Sequence, residues 1–289
     1  MVFAQARSLL RGKSKLWTKK LSKVLLYLIV ILGAITMLIP FLWMISTSLK
    51  TAPETIAVPP IWIPKALQWS NYVKAWNEAP FGQYFINSII VTVVTTVGQL
   101  FTSILAAFAF SRLKFYGKNI LFIIFLGTMM IPGEMLIIPN FVTLSHLGQI
   151  DHYGALILPW LASFFTVFTL RQTFQSTPDQ IYYAAKIDGA SDWKYLWQVL
   201  VPMSKSTITA VTVLQVIGSW NAFMWPLIVT NSDKMRTLPV GLQAFTTDAG
   251  TQYQLLMAAS TFVIIPMVIL YIFLQKYIIA GISKAGLKG

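Results

Sequence analysis

The amino-acid sequence predicts an all-α, polytopic membrane protein with six transmembrane helices and both termini cytoplasmic. Three observations carry this. Of 289 residues, 56% are hydrophobic and only 11% are charged, where a soluble domain carries about 25% charged residues. Six stretches approach or exceed the roughly 20 apolar residues that a helix needs to cross a bilayer. The 22 Lys and Arg residues, against 9 acidic ones, fall mostly on one side of those stretches. This composition excludes a disordered tail, a collagen-like fibre and an ordinary soluble enzyme. The chain has no cysteine, so disulfides, thiolate metal sites and cysteine nucleophiles are excluded and the redox compartment is unreadable.

The spans are expected near 24–46, 84–110, 119–145, 153–171, 206–231 and 252–276. Residues 1–23 form a basic segment ahead of the first. Val24–Ile45 is uncharged and longer than the apolar core of a signal peptide, about 7–15 residues, and no small-x-small cleavage site follows it. It is therefore read as a retained span. Tyr84–Phe110 is uncharged, and Asn119–Leu147 carries charge only at Glu134. Tyr153–Leu170, Ser206–Ser232 and Ala249–Gln275 are uncharged. None of these runs alternates apolar with polar residues as a barrel strand would, so lipid leaves helices as the spanning structure.

Orientation follows from the basic residues. Arg7, Arg11, Lys13, Lys15, Lys19, Lys20 and Lys23 precede the first span. Arg112, Lys114 and Lys118 join the second to the third, and Arg171, Lys186, Lys194 and Lys205 join the fourth to the fifth. Lys276, Lys284 and Lys288 close the chain. The opposite side holds only Lys50, Lys65, Lys74, Lys234 and Arg236. The formal charge of +13 is thus a topological bias spread over separate loops, which argues against nucleic acid as a partner. The N-terminal cluster also suits anionic lipid headgroups.

Several chemistries are missing. The fragment Gly12-Lys13-Ser14 has Arg7 where a phosphate-cradling loop needs its first Gly, so the chain has no ATP site of that kind. His146 and His152 have only Asp151 nearby, a poor metal set, and no Ser-His-Asp arrangement is visible. Glu134 is the one ionisable group within a span. Counted along a straight helix it lies roughly 22 Å in, towards the outer end, just after Pro132-Gly133, where the helix should break. It either caps the break or bonds a neighbouring chain, or it lines a pathway.

The connection between the fourth and fifth spans is the most informative. Thr177 then Pro178 reads as an N-cap and first-turn proline, and Asp179 suits the helix N-terminus. Ile181, Ala184, Ala185 and Ile187 supply an apolar stripe, and Gly189 can end the helix in a left-handed conformation. Ser191 can cap a second segment from Asp192 to Leu200, ahead of Pro202. The small Ala184-Ala185 surface allows either close approach of another protein or a helix lying on the headgroups.

This segment resembles the cytoplasmic loop of ATP-binding-cassette importer permeases, whose pattern is Glu-Ala-Ala, three residues to Gly, then a downstream Leu-Pro. Ala184-Ala185, Asp188-Gly189-Ala190-Ser191 and Val201-Pro202 match it. Phe85-Ile86-Asn87-Ser88, Ala106-Ala107-Phe108-Ala109-Phe110-Ser111-Arg112-Leu113, Met130-Ile131-Pro132, Trp220-Asn221-Ala222-Phe223 and Thr237-Leu238-Pro239-Val240-Gly241-Leu242 resemble the carbohydrate-uptake branch. The similarity runs from about Leu42 to the C-terminus and is greatest to the maltose-type second permease chain. Tyr183 departs from the pattern by standing where the family has Glu.

The resemblance implies a transmembrane permease domain over 24–289 in a bacterial plasma (inner) membrane. It implies a second permease chain, two cytoplasmic ATPase subunits that use ATP and Mg, and an extracytoplasmic solute-binding protein. The chain itself would bind no cofactor and catalyse nothing. Tyr183, Ala184, Ala185, Asp188, Gly189, Ala190, Ser191 and Pro202 would couple to the ATPase, with Tyr182 and Tyr183 filling space by packing. Glu134, Trp220, Asn221, Phe223, Trp225 and Asn231 are pathway candidates, the tryptophans being equally suited to an interfacial belt or to helix packing. Leu238, Gly241, Asp248 and Gly250 lie in the loop that would probe the binding protein. The proline-rich segment 51–80 is expected to be an ordered outer connection. Competing classes are an ion-coupled carrier acting alone, which would need more buried charge than Glu134, and a noncatalytic membrane assembly protein, which would not need the coupling loop. An intramembrane enzyme lacks its catalytic groups. The sugar is not named by the sequence.

Overall fold

The computed structural model describes residues 2–247 and 250–286. Two compact units are present, one formed by the chain up to Tyr72 with Gln252–Thr261, the other by Val73–Thr251 with the chain from Phe262 onward. Helices dominate, as the absence of alternation requires. α1 runs Val2–Ser48, and every described side chain from Ser22 to Leu42 is exposed. An apolar helix with no buried face is what lipid, not water, stabilises.

At the end of α1 the first unit is held by polar contacts. Asn71 donates its amide to the carbonyls of Ser48 and Lys50 at 2.9 and 2.8 Å. The Trp43 and Trp62 rings meet edge to face at 4.9 Å, and Lys50 Nζ lies 3.7 Å above the Trp43 ring. The short α2, Ala52–Thr55, starts with the Thr51 N–H donating to Glu54, whose other oxygen accepts from the Lys65 N–H at 3.1 Å. The expected order in this connection is therefore built from side-chain to backbone bonds. α3, Ser70–Glu78, follows.

α4, Phe81–Arg112, is the axis of the second unit. Its faces are inverted relative to a soluble helix. Ile86, Ile89, Val93, Val94, Val97 and Phe101 are exposed, while Asn87, Ser88, Thr92, Thr95, Thr96, Gln99 and Ser103 are buried. Asn87 uses its whole bonding capacity. Its amide donates to the carbonyls of Lys234 and Arg236, both at 2.8 Å, and its oxygen accepts from Gln83 at 2.9 Å and Tyr153 at 2.7 Å. At the next residue, the Ser88 hydroxyl accepts from the Leu238 N–H at 2.8 Å. The motif Phe85-Ile86-Asn87-Ser88 is thus the place where the chain 150 residues later is fastened to α4.

Among the described residues four helices are long and apolar enough to cross a membrane: Ser22–Ser48, Phe81–Arg112, Tyr153–Gln175 and Tyr253–Phe273. Two further stretches are bent pairs, so the count is four, or up to six with each pair as one span. In the first pair α5, Lys118–Thr128, stops before Pro132, and a 3-10 turn, Gly133–Leu136, leads into α6, Ile137–His146. The break expected at Pro132-Gly133 is present as a 94° bend, so the straight-helix placement of Glu134 does not hold. The 153–175 stretch is α7, Tyr153–Ile157, a 3-10 turn at Leu158–Trp160, and α8, Phe164–Gln175, capped by the Ser163 hydroxyl. Beyond α8 come α9, Asp179–Ile187, and α10, Asp192–Tyr195. A wide π turn, Leu196–Leu200, and α11, Val201–Met203, continue from α10. This segment bends by 80° into α12, Lys205–Trp220. α13, Met224–Val229, is separated from α12 by Asn221 to Phe223. α14, Leu238–Gly241, a two-stranded hairpin pairing Thr246 with Thr251, and α15, Tyr253–Gly286, complete the chain.

Asp151 is the one non-glycine residue with positive φ among those described, at 61°. Its carboxylate accepts from the Asn231 and Ser232 N–H groups at 2.8 and 3.0 Å. Burial opposes its charge, yet these bonds hold its pKa below the ordinary value. Among the described residues no group of three His, Asp or Glu side chains gathers as a metal site.

Asn87→Ala should lower the stability of detergent-solubilised protein by about 1–3 kcal/mol, because buried partners lose their bonds. The check is the thermal midpoint followed by size-exclusion chromatography. An unchanged midpoint would contradict the role given to Asn87.

Candidate functional site

The loop between α8 and α12 is built outward from α4. The last residue of α4, Arg112, has a side chain only 5% exposed. Its guanidinium donates to the carbonyls of Phe174 and Thr177 at 2.7 and 2.6 Å and pairs with Asp179. One group therefore ties α4 to the end of α8 and to the first residue of α9. A lysine has no planar fork with which to reach three acceptors. Nearby, Arg171 donates Nε to the Phe110 carbonyl at 3.1 Å and lies 3.9 Å from the Phe122 ring.

α9 begins one residue later than its sequence suggests. Pro178 occupies the N-cap position in an extended conformation, φ −56° and ψ 138°, and Asp179 is the first helical residue. Thr177 is buried with its carbonyl given to Arg112. The apolar stripe is also rotated. Ile181, Tyr182 and Ala185 pack on the core made by Phe108, Phe174, Tyr195 and Leu196. Tyr183, Ala184 and Ile187 face outward, Tyr183 58% and Ile187 86% exposed. At 3.6 residues per turn, 181, 182 and 185 share one side and 183, 184 and 187 the other.

The helix ends as expected. Gly189 has φ 75°, its N–H bonds the Lys186 carbonyl at 3.1 Å, and the Ala190 N–H bonds the Ala185 carbonyl at 2.9 Å. This pair of bonds is the Schellman motif, which favours Gly at its left-handed position. Asp188 and Ser191 are exposed, and the Ser191 hydroxyl accepts from the Lys194 N–H at 3.2 Å to start α10. Asp192 then binds back to α9, accepting from Tyr182 at 2.8 Å and pairing with Lys186 at 2.8 Å. Its bond to Lys186, and then that to Tyr182, hold the Asp192 carboxyl below its usual range, while the same contact raises Lys186. The pair is charged between those two limits, so the tie persists through neutral pH and weakens only in strong acid or base.

The second segment does not stop before Pro202. It continues to Met203, because the wide turn at Leu196–Leu200 relieves the clash between the proline ring and the preceding turn. Pro202 itself is exposed.

The other candidates are dispersed. Trp220 is buried and its indole N–H donates to the Val263 carbonyl at 3.0 Å. Trp225 is buried and donates to the Ala155 carbonyl at 2.9 Å. Asn221 and Phe223 are exposed at the break between α12 and α13, and Asn221 bonds the Ile217 carbonyl of its own helix. Asn231 is exposed. Glu134 is exposed, and its side chain makes no hydrogen bond or ion pair among the described residues. Leu238 and Gly241 are buried, and a Cβ on Gly241 would run into the Tyr84 ring. Gly250 is exposed with φ 125°, and Asp248 lies outside the described residues. Sequence reasoning read Arg112 as a topological charge and as part of the Ala106–Leu113 motif, without a partner, and placed Asp179 at a helix N-terminus and Asp192 at the start of a segment. Their partners lie on other elements, and the lone Arg closing a long uncharged run was the available signal.

The geometry is that of a short helix held at the end of a helical bundle. Residues 99–284 match the family of binding-protein-dependent transport system inner membrane components. The chain is 35% identical over 227 residues, 78% of its length and 81% of the relative's, to the arabinooligosaccharides transport system permease protein AraQ of Bacillus subtilis (strain 168). It is 31% identical over 265 residues, 89% of its length and 94% of the relative's, to the sn-glycerol-3-phosphate transport system permease protein UgpE of Yersinia pestis bv. Antiqua (strain Antiqua). Its fold is shared with a bacterial ABC transporter involved in the import of the acidic polysaccharide alginate, at TM-score 0.80 and 23% identity over 90% of this chain and 97% of that one. The chain therefore belongs to the binding-protein-dependent transport system inner membrane component family and is an ABC transporter permease subunit, a transport component.

Arg112→Ala should loosen α9. Trypsin should cleave at Lys186 about tenfold faster or more, since each charge-assisted bond is worth about 1.5–3 kcal/mol and tenfold corresponds to about 1.4 kcal/mol. Arg112→Lys should restore only part of the protection. Equal cleavage rates in all three proteins would contradict the tie.

Proposed function

We propose that this chain is one of two permease subunits of an ATP-driven, binding-protein-dependent importer of sugars or oligosaccharides. It forms half of the pathway, with six spans and both termini cytoplasmic, the bent pair α5–α6 counting as the third crossing and α12 with α13 as the fifth. Two cytoplasmic ATPase subunits act on the complex through the loop 178–202, and an extracytoplasmic protein delivers the sugar. Each partner shifts the inward- and outward-facing populations by its differential affinity for them.

The observation that carries this reading is the outward face of α9. Tyr183, Ala184 and Ile187 present an apolar surface on a helix whose inner face is packed and whose two ends are tied by Arg112 and Asp192. Such a helix transmits a push. Tyr183 supplies apolar area where the family has an acidic contact, so the matching ATPase cleft is expected to be apolar too. The carbohydrate reading is supported by the relatives, whose names include arabinooligosaccharide transport. Asn221 and Phe223, exposed at the break after α12, remain pathway candidates. The exposed hairpin around Gly250 is the part of the outer loop available to a binding protein.

Affinity purification of the tagged chain from its native host should recover a second multi-span chain and an ATPase in fixed ratio. Gly189→Arg should retain the second chain and lose the ATPase, because a left-handed site costs a non-glycine residue about 1–2 kcal/mol and the side chain stands on the docking face. Recovery of the wild-type chain without any ATPase would overturn the proposal.

A further inference from the structure

A second feature lies within the helical bundle. A cavity of about 250 Å³ lies between α4, the α7–α8 stretch, α12 and α13, with buried Thr95 and Trp225 on its inner side and exposed Trp160 and Gly218 at its border. Its two sides differ in chemistry. Thr95, Gln215 and Ser219 line it with hydroxyls and an amide, and Trp160 and Trp225 line it with indole rings. The indoles meet nearly at right angles, 81°, with centroids 6.3 Å apart. Trp225 is locked by its bond to the Ala155 carbonyl, so its ring is a fixed apolar wall with no polar need of its own. Gly218 also lines the space, and a Cβ there would meet nothing within 4 Å.

The polar side is partly unsatisfied. Thr95 is 1% exposed and its hydroxyl has no partner among the described residues. Half-buried Gln215 makes no side-chain hydrogen bond among the described residues. Half-buried Ser219 has only a long contact, 3.4 Å, to Thr92. A buried hydroxyl within a span, such as that of Thr95, requires a partner. A molecule filling the space would find hydrogen-bonding groups on the side of Thr95, Gln215 and Ser219 and indole rings on the other.

We propose that this cavity is a subsite for one sugar ring of the transported carbohydrate. A sugar ring has apolar C–H faces and a polar hydroxyl rim. Stacked on the Trp160 ring with its edge against Trp225, it would meet Thr95 and Gln215 with its hydroxyls. The space admits a single ring, so an oligosaccharide would engage it one residue at a time. This inference rests on the importer reading and adds residues that the pathway assignment did not contain.

The test uses the complete importer in proteoliposomes with its binding protein, offered arabinotriose, maltotriose and an alginate trisaccharide. Thr95→Val and Gln215→Leu should each cut maximal uptake about tenfold, the effect of one lost polar contact. The half-saturating concentration, set by the binding protein, should stay unchanged. The cysteine-free sequence allows a Gln215→Cys variant to be labelled with 2-aminoethyl methanethiosulfonate, read by mass spectrometry of this chain. The transported sugar should slow that labelling during turnover. If the wild-type complex takes up none of the three sugars, the importer reading falls and the subsite with it. If uptake is normal but labelling is the same with and without sugar, or both substitutions leave uptake unchanged, the subsite alone is overturned.

Discussion

Helix α4 is fastened at each end by one side chain, and the second unit is organised around those two fastenings. Asn87 spends two donors and its oxygen on Lys234, Arg236, Gln83 and Tyr153. Arg112 reaches Phe174, Thr177 and Asp179. They are 25 residues apart on one continuous helix, about 37 Å at a rise of about 1.5 Å per residue. In lipid the hydrophobic effect does not drive helices together, so directional bonds and close packing carry the specificity. The buried face of α4 accordingly mixes polar residues such as Asn87 and Ser88 with core residues such as Ile104, Ala107 and Phe108, while its exposed face is apolar.

The arrangement suits a device that carries movement between a surface and a bundle. α9 is short, and a short helix is not stable by itself. It persists because Ile181, Tyr182 and Ala185 pack inward, the Gly189 turn closes its end, and Asp192 binds back to it. Its outer residues are thereby free of structural duty. The bent pair that leads into α12 keeps the segment from Asp192 to Met203 at 80° to that helix, so it cannot simply extend α12.

The sequence was informative where the determinants are local. Hydropathy located the long helices, and Gly189 and Ser191 were readable because caps are formed within a few residues. Pro132-Gly133 marked a break, though not the 94° change of direction, which depends on packing. The break near Leu161 had Pro159 as a marker that a hydropathy count passes over, and the break near Asn221 left no comparable signal. The stripe Ile181, Ala184, Ala185 and Ile187 divides between the two sides of α9, because four apolar residues fit more than one rotation and the packing of Ile181, Tyr182 and Ala185 on the core selects one. Arg112 was opaque for a related reason, since its acceptors lie 62 to 67 residues away in sequence. The polar row Thr92, Thr95, Gln99 and Ser103 keeps helical spacing, yet within an apolar run it is diluted.

The central claim is that α9 moves with α4 as one body. Spin labels at Val97→Cys and Gln180→Cys, both exposed positions in a chain without native cysteine, would report it by pulsed electron resonance in the assembled complex. The distance distribution should be the same without nucleotide and with ATP trapped by vanadate. A nucleotide-dependent shift in that distance would show that the helix swings on the Arg112 tie, and the account of rigid coupling would be contradicted.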